Sequence, residues 1–392
     1  MALPARRGAP SWAEAAGGVV LRLFISATHQ NVGKTTTSIG LYAALRARGL
    51  RVHFLKPIGQ RYLVQDDVKA DEDAILIRDQ FGQAGSLADM SPVTIPRGFT
   101  ARYVFDRDRA SIFGAIEAAF DRIDPSVDVA IIEGTGHAGV GAIIDASNAD
   151  VARGLGAQAI VIASGGIGSA IDEIVLNCAL FRQANVPVLG AIVNKVRADK
   201  LAAVEPAIRQ GLANHGIACL GVVPYHAEMT LPTVRQLAEE LGADVVLDAD
   251  GLDARVRSTI VAAMTPQNTI GHLRHDTFVI TPGDRVDNIL VCIATHLVGQ
   301  LRDRAHIAGI LLTGGLLPDA TILSLLAEAG IPVLASADDT FTASAKVERL
   351  TVKIRPGDSQ KVELAASLAR DFIDVDGILK ALRASASAPG AP

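Results

Sequence analysis

Apolar residues along the chain fall in short runs that glycine-rich or polar segments separate. Apolar, β-branched runs predict strands, and apolar residues at helical spacing predict helices. In the first part of the chain the predicted strands are Val19–Ser26, Val52–Leu55, Asp128–Glu133, Gln158–Ala163, Val188–Val193 and Gly221–Pro224, and the predicted helices are Ser38–Arg48, Glu72–Gln80 and Pro232–Leu241. This alternation predicts a mostly parallel sheet with helices on both faces.

The alternation pauses around residues 242–251, where aspartates cluster, and then restarts. The second series has predicted strands at Thr277–Thr281, His306–Leu312 and Pro332–Ala335, and predicted helices at Val286–Gln300 and Asp319–Ala329. We therefore predict a flexible tail at 1–18, a first domain at 19–245, a smaller α/β domain at 246–378 and a disordered tail at 379–392.

Composition narrows the class of protein. Apolar residues make up 49% of the chain and the mean hydropathy is +0.31, which excludes disorder of low hydrophobicity. Without a run of 18 apolar residues or a secretory h-region, the sequence predicts no membrane partner and a cytoplasmic location. A net charge of −5 without a basic block gives no indication of nucleic-acid binding. Three distant cysteines, Cys178, Cys219 and Cys292, are predicted to be buried thiols.

The segment Ser26–Thr35, SATHQNVGKT, lies between a predicted strand and a predicted helix. Backbone N–H groups in such a loop, together with the helix N-terminus, can cradle phosphate oxygens. The residues predicted to bind a nucleotide here are Thr28, His29, Gln30, Asn31, Val32, Gly33, Lys34, Thr35 and Thr36. Lys34 would reach the outer phosphates and Thr35 would bind Mg²⁺. The strict phosphate-loop pattern fails because Thr28 stands where its first glycine is expected.

Two acidic residues are candidate Mg²⁺ ligands beside Thr35. Glu133 ends an apolar strand, and Asp73 opens a predicted helix. Hard cations take oxygen ligands, so these carboxylates fit a triphosphate site. Asp73 is also explained as an ordinary charge in a first helical turn, and Asp71 or Glu72 stay alternatives to it.

Further candidates follow other strands. Lys56 follows the second strand. It is interpreted either as a cation over a transferred phosphoryl group or an anionic substrate, or as a surface lysine. Asn194 ends a strand and suits an adenine edge or a turn. Gly134–Gly139, GTGHAG, matches a dinucleotide pattern but lacks the helix and acidic residue that should follow. We interpret it as a wall of the substrate site, formed by Gly134, Thr135, Gly136 and His137.

In order, these motifs resemble dethiobiotin synthetase and the wider group that includes cobyrinic acid a,c-diamide synthase. ATHQNVGKT is similar to the loop GTDTxVGKT, and the pairs KP at 56–57, DA at 73–74, EG at 133–134 and NK at 194–195 are similar to the segments KP, SDAL, EGAGG and Asn-Arg. The resemblance implies a P-loop NTPase-type fold with ATP and Mg²⁺ as cofactors. It also implies that Lys34 and Lys56 act in phosphoryl transfer and that Asn194 contacts adenine.

The implied chemistry is an ATPase or an ATP-dependent ligase that acts on a small carboxylate or amine. The substrate half departs from the family at Gly59–Arg61 and at Thr135–His137, which weighs against dethiobiotin synthesis itself. We expect a homodimer or a higher homo-oligomer.

The second domain carries ITPGDR at 280–285 and LLTGG at 311–315, which resemble a DRTGG domain. That domain follows a dethiobiotin-synthetase-like region in the N-terminal portion of long phosphate acetyltransferases. The resemblance implies an alternative function, a nucleotide-sensing regulatory module of acetyl-phosphate or acetyl-CoA metabolism without its own chemistry. Because the sequence ends at Pro392, we expect a free-standing version of that portion.

Overall fold

The computed structural model describes residues 20–248, 251–298, 305–350 and 352–386, with the side chain of residue 386 left out. The chain divides into two compact units. The first consists of the residues up to His226 together with those from Ile354 onward, and the second of Ala227–Lys353. The predicted tail at 1–18, residue Val19 and the last two residues of the predicted helix Val286–Gln300 lie outside the described residues.

The first unit is built on a six-stranded sheet in which every neighbouring pair is parallel. Its strands are β1 Leu21–Ala27, β2 Val52–Leu55, β7 Val129–Glu133, β8 Gln158–Ser164, β9 Val188–Val196 and β10 Cys219–Pro224, in the order β10-β9-β8-β1-β7-β2. Burial on both faces explains why these strands read as almost continuous apolar runs. The predicted parallel sheet is confirmed.

Helices cover this sheet. They are α1 Lys34–Arg46, α2 Glu72–Phe81, α3 Leu87–Met90, α4 Phe99–Tyr103, α5 Arg109–Asp121, α6 Asn148–Gly154, α7 Gly168–Gln183 and α8 Leu201–Asn214. Short 3₁₀ turns lie at Ala142–Ile144 and Ala198–Lys200. α1 begins four residues before the helix predicted at Ser38, because Gly33 ends the preceding loop with a left-handed backbone.

Four short strands lie between β2 and α4. β3 Ile58–Gly59 pairs in parallel with β6 Val93–Thr94, and β4 Tyr62–Gln65 forms an antiparallel hairpin with β5 Val68–Asp71. Asp66 and Asp67 join the hairpin, both with positive φ, as a two-residue turn of type I′ requires. β5 leads directly into α2, which places the start of α2 at the end of this hairpin.

The second unit has a five-stranded sheet in the order β11-β15-β14-β13-β12, parallel except for the pair β11–β15. Its strands are β11 Asp244–Leu247, β12 Ser258–Val261, β13 Thr277–Pro282, β14 Ile307–Thr313 and β15 Val333–Ala335. Its helices are α9 Val234–Leu241, α10 Pro266–Ile270, α11 Val286–Leu297, α12 Ala320–Ala329 and α13 Thr340–Arg349, with a 3₁₀ turn at Ala227–Thr230. Val279 and Phe278 enter cores on opposite faces, so helices cover both sides of the sheet.

Two further helices, α14 Ser359–Phe372 and α15 Val375–Ala386, belong to the first unit. α14 lies so close to α1 that a Cβ at Gly40 would be 2.5 Å from the carbonyl oxygen of Ala365. α15 contributes Leu379 and Leu382, both completely buried. The chain therefore leaves the first unit, forms the second and returns.

The division differs from the predicted domain bounds. The predicted first domain, 19–245, included the helix that is α9, but Val234 and Leu237 of that helix are buried in the core of the second unit. The predicted second domain, 246–378, included α14, and the tail predicted as disordered, 379–392, begins inside α15. In both cases the apolar face of a helix contacts residues that are distant in the sequence. The local sequence pattern does not predict those contacts.

Among the described residues, no helix combines the length and the apolar character needed to cross a bilayer. The three thiols are free, with Cys178 and Cys292 buried and Cys219 partly buried. Burial raises the pKa of Cys178 to about 11 and that of Cys292 to about 12.

Candidate functional site

The segment between β1 and α1 is a loop with two left-handed residues, Asn31 at φ 62° and Gly33 at φ 97°. Lys34 and Thr35 follow in the first turn of α1, so the helix N-terminus faces the loop. Thr28 anchors the start of the loop, since its N–H donates to the carbonyl of Ile162 on β8 at 2.8 Å. This strand–loop–helix arrangement is the one predicted for phosphate binding.

Predicted residues from three separate segments meet beside this loop. Thr35 Oγ1 lies 3.3 Å from Asp73 Oδ1 and 3.3 Å from Glu133 Oε1. They meet because β1 and β7 are adjacent parallel strands whose carboxyl ends lie at one edge of the sheet. The hairpin before α2 brings Asp73 to the same edge.

Lys56 joins the same cluster. Its Nζ donates to Asp73 Oδ2 at 2.6 Å and to Glu133 Oε1 at 2.8 Å, and the side chain is 4% exposed. Burial by itself lowers the pKa of Lys56, but the neighbouring carboxylates raise it well above its usual value. The structure thus gives this lysine a buried, charged position and not that of a surface lysine.

Lys34 is the second cation of the cluster. Its Nζ lies 3.8 Å from Glu133 Oε1 and its side chain is 15% exposed. The pKa of Lys34 is lowered, first by burial and then by the charge of Lys56. Two ammonium groups therefore lie at the start of α1, where the outer phosphates of a nucleotide would meet them.

Of the three adjacent acidic residues, Asp73 is the one whose carboxylate reaches Thr35. Asp71 accepts a hydrogen bond from the N–H of Asp73 at 3.1 Å and so caps α2. Burial is the main cause that raises the pKa of Asp71 to about 6. The side chain of Glu72 is 31% exposed, and its Oε1 lies 4.0 Å from Arg61.

Glu133 has one carboxylate oxygen without a partner. Its Oε2 is buried and makes no hydrogen bond within the part of the chain that the structure describes. An unpaired buried polar atom costs free energy, which a bound cation would recover. In the described segments no group of three or more His, Cys, Asp or Glu is placed to hold a metal. Mg²⁺ usually takes one or two carboxylates and completes its shell with phosphates and water, so Thr35, Asp73 and Glu133 fit that ion.

The loop after Glu133 lies at the same edge of the sheet. The hydroxyl of Thr135 donates to the carbonyl of Ile58 at 2.7 Å, and Gly136 O accepts from the N–H of Ala27 at 3.1 Å. A Cβ at Gly134 would collide with Phe24, which explains the glycine. His137 is exposed and accepts from the N–H of Gly139 at 3.2 Å.

Two asparagines that sequence reasoning missed fix this loop. Asn148 donates to the carbonyls of Thr135 at 2.9 Å and His137 at 2.7 Å, and Asn177 accepts from the N–H of Ala138 at 2.8 Å. Both are almost completely buried. Asn148 follows the capping residue of α6, so its sequence context indicates only a helix start.

The remaining predicted residues surround the phosphate loop. His29 Nδ1 lies 3.1 Å from Glu173 Oε2 on α7, and both side chains are partly exposed. Gln30 is exposed at the tip of the loop, and Thr36 lies in the first turn of α1. Asn194 is 7% exposed and lies under the loop, with Nδ2 donating to the carbonyl of Val32 at 2.9 Å. The structure therefore shows contacts of Asn194 with the loop, and the adenine contact stays a prediction.

Comparison with known proteins identifies the architecture. Residues 21–233, more than half of the chain, match a family described as an AAA domain. The chain belongs to this AAA domain family. Residues 236–350 match a DRTGG domain, within the second compact unit. The predicted P-loop domain followed by a DRTGG domain is confirmed.

Curated relatives of this AAA domain protein are phosphate acetyltransferases. That of Pseudomonas putida is 29% identical over 365 residues and matches 90% of this chain and 50% of its own length. That of Nitratidesulfovibrio vulgaris is 28% identical, with coverages of 90% and 50%, and that of Escherichia coli is 22% identical, with 90% and 51%. The chain spans about half the length of the curated relatives it matches.

Two solved structures are similar to parts of this AAA domain protein. Cobyrinic acid a,c-diamide synthase from Mycobacterium smegmatis, with a bound ATP analog and magnesium, is 19% identical and covers 53% of this chain and 88% of its own, with a TM-score of 0.36. The CBS and DRTGG domains of the regulatory region of Clostridium perfringens pyrophosphatase, complexed with diadenosine tetraphosphate, are 16% identical and cover 46% and 87%, with a TM-score of 0.24. Both TM-scores are low.

Proposed function

We propose that this protein binds ATP with Mg²⁺ at the loop between β1 and α1 and acts as an ATPase or an ATP-dependent ligase on a small carboxylate or amine. The observation that carries the proposal is the buried, unpartnered Oε2 of Glu133 beside Thr35 and Asp73. Without a ligand, this unpaired oxygen lowers the stability of the protein, and a bound cation would give it a partner.

Thr35, Asp73 and Glu133 would hold Mg²⁺, which when bound neutralises charge on the phosphates. The described cluster contains three carboxylates and two lysines, so it accommodates added positive charge. Lys34 and Lys56 are fixed by burial and by their carboxylate partners. They would stabilise the charge that develops on the outer phosphates during transfer, with little reorganisation.

The loop of Gly134, Thr135, Gly136 and His137 would form the wall against which the second substrate lies. Hydrogen bonds from Asn148 hold this loop, and Thr135 ties it to β3. A fixed wall beside the phosphates favours attack by a small bound nucleophile over attack by water, because orientation lowers the barrier.

Nucleotide binding tests the proposal directly. In Lys34→Met we expect loss of ATP binding by calorimetry and loss of any ATP turnover. Lys200→Met is the matched control, because Lys200 is exposed and lies outside the cluster. Equal ATP affinity and turnover in the wild type and Lys34→Met would refute the site. A homodimer is part of the same proposal, and light scattering with and without ATP tests it.

A second candidate is a nucleotide-sensing regulatory module of acetyl-phosphate or acetyl-CoA metabolism. The observation that favours it is that alignment with phosphate acetyltransferases covers about 90% of this chain and includes the DRTGG domain. Single-turnover assays with small carboxylates and amines separate the two candidates. ATP consumption that a carboxylate or amine stimulates supports the ligase, whereas tight binding without turnover supports the sensor.

A further inference from the structure

His137 lies in the loop after β7, and the backbone around it is held from several directions. Its carbonyl accepts from Nδ2 of Asn148 at 2.7 Å and from the N–H of Val140 at 3.0 Å. The next residue, Ala138, donates its N–H to Oδ1 of Asn177 at 2.8 Å. Residues of α6 and α7 therefore fix the point from which the imidazole projects, while the side chain itself is exposed.

The ring of His137 is oriented as well. Its Nδ1 accepts a hydrogen bond from the N–H of Gly139 at 3.2 Å. A Cβ built on Gly139 would lie 3.5 Å from Nδ1 and from Cε1, so the ring lies against this glycine. Nε2, the ring nitrogen farther from the backbone, makes no hydrogen bond to any of the residues that the structure describes.

The bond to Gly139 decides which ring nitrogen carries the proton. A backbone N–H can only donate, so Nδ1 is without a proton while it accepts. In a neutral imidazole the single proton is then on Nε2, and in a doubly protonated ring no nitrogen is left to accept. The contact therefore favours a neutral His137 whose outer nitrogen is a hydrogen-bond donor.

The neighbours of His137 place it at the edge of the phosphate site. The carbonyl of Gly136 accepts from the N–H of Ala27, the last residue of β1, at 3.1 Å. The hydroxyl of Thr135 donates to the carbonyl of Ile58 on β3 at 2.7 Å. The loop thus contacts both the start of the phosphate loop and β3, so a substrate that lies along it would be close to the nucleotide.

We propose that His137 binds the second substrate as a neutral hydrogen-bond donor, from Nε2 to an oxygen atom, and that it is not the proton acceptor of the reaction. The inference rests on the proposed function, since it assumes that this loop lines the substrate site. It selects a carboxylate over an amine as the second substrate, because a carboxylate offers an oxygen to this donor.

The chemistry of a carboxylate agrees with a histidine that accepts no proton. One oxygen of the ionised carboxylate forms a bond to the γ-phosphorus of ATP, the bond from that phosphorus to the bridging oxygen breaks, and its electron pair leaves on ADP. No proton has to be removed in this step, because the carboxylate is already ionised at neutral pH. A fixed donor on the substrate wall then contributes orientation alone.

Nitrogen NMR of the full chain, labelled with ¹⁵N-histidine, tests the tautomer without a nucleotide. Near neutral pH we expect Nδ1 of His137 to be without a proton and Nε2 to carry one, with the signals identified by their loss in His137→Asn. A ring that carries a proton on Nδ1 overturns the inference. Because this measurement needs no ATP, its failure is distinct from a failure of the proposed function.

Two variants separate the roles of His137 in turnover. A glutamine places its amide nitrogen near the position of Nε2, whereas an asparagine reaches only as far as Nδ1. With Mg²⁺, ATP and either acetate or succinate, we expect kcat/KM for the carboxylate to fall about tenfold in His137→Asn, the effect of one hydrogen bond, and to recover most of that loss in His137→Gln. The loss should lie in KM for the carboxylate and not in the affinity for ATP. His215→Gln, at an exposed position after α8, is the matched control.

The other outcomes overturn the inference. Equal losses in the two variants would show that His137 accepts a proton, which neither amide can do, and a loss in His137→Gln alone would show that it only holds Gly139. Unchanged turnover in both would show that His137 does not contact the substrate. A wild type whose ADP formation responds to neither carboxylate, even if it responds to ethanolamine, also overturns the inference and leaves ATP binding standing. A wild type that binds no ATP overturns the proposed function, and with it the substrate role of His137.

Discussion

The Nζ of Lys56 lies 2.8 Å from Oε1 of Glu133, and the two side chains are only 4% and 0% exposed. An isolated buried charge is very costly, so each of these two side chains needs the other as a partner at this depth. The pair also connects the ends of the neighbouring strands β2 and β7, and β7 lies beside β1, after which the phosphate loop begins. Stability and proposed catalysis therefore depend on the same atoms.

Lys56→Met should destabilise the protein without nucleotide by about 3–5 kcal/mol, because it leaves Asp73 and Glu133 buried without their cation. Urea unfolding of the first unit measures this. The double variant Lys56→Met/Glu133→Gln should be less unstable than the sum of the single variants, since the second change removes an unpaired charge. Additive losses would show that the two side chains are not coupled.

In Glu133→Gln we expect the affinity for Mg²⁺ in the presence of ATP to fall about a hundredfold, which corresponds to about 2.7 kcal/mol. Asp73→Asn should act in the same direction, because its carboxylate also lies beside Thr35. The control is Glu72→Gln, because the carboxylate of Glu72 is partly exposed and lies 4.0 Å from Arg61. ATP titrations at several Mg²⁺ concentrations give the result, and equal Mg²⁺ dependence in all three variants would contradict the ligand assignment.

His53 on β2 should make the protein less stable in acid. Burial lowers its pKa to about 4, below the usual 6.5. The unfolded chain therefore takes up a proton as pH falls below 6.5, while the folded chain resists until about pH 4. Stability should decline across this window by about 3 kcal/mol from this residue. Urea unfolding of His53→Leu at a series of pH values should lack that decline, and curves that stay parallel to wild type from pH 7.5 to 4 would disprove it.

Two glycines inside helices should respond to alanine in opposite directions. Gly40→Ala in α1 places a methyl group against Ala365 O and Ala369 Cβ, so we expect a loss of about 1–3 kcal/mol. Gly114→Ala in α5 faces open space and should stabilise the protein by about 0.5–1 kcal/mol through helix propensity. Thermal unfolding of both variants, compared with wild type, measures the two changes in stability. A neutral Gly40→Ala would mean that α14 does not pack tightly on α1.

The phosphate loop and the strand ends around it were predictable because each follows from a local pattern. A strand, the segment SATHQNVGKT and a helix stand in sequence, and Lys56 and Glu133 each end an apolar run. Parallel pairing of such strands then brings their ends to one edge. The same reasoning identified Asp73 but could not separate it from Asp71, because only the cap of α2 distinguishes their directions.

The parts that were missed depend on contacts between distant residues. Asn148 and Asn177 hold backbone atoms of the loop after Glu133, and an asparagine in a helix carries no local sign of such a bond. The domain bounds differ because the apolar face of α9 matches the second core, which its own sequence cannot specify. The sequence left Asn194 as either an adenine contact or a turn residue. Its hydrogen bond to Val32 was not predictable, because the two residues are distant in the sequence.

The return of α14 and α15 to the first unit sets an order for biosynthesis. All of the second unit is translated before the residues that complete the first, whereas the second unit is contiguous and can fold as soon as it leaves the ribosome. Until then the surfaces of α1 and β10 that α14 covers are exposed on the nascent chain. The phosphate-loop domain can therefore reach its final form only after α14 and α15 have been synthesised.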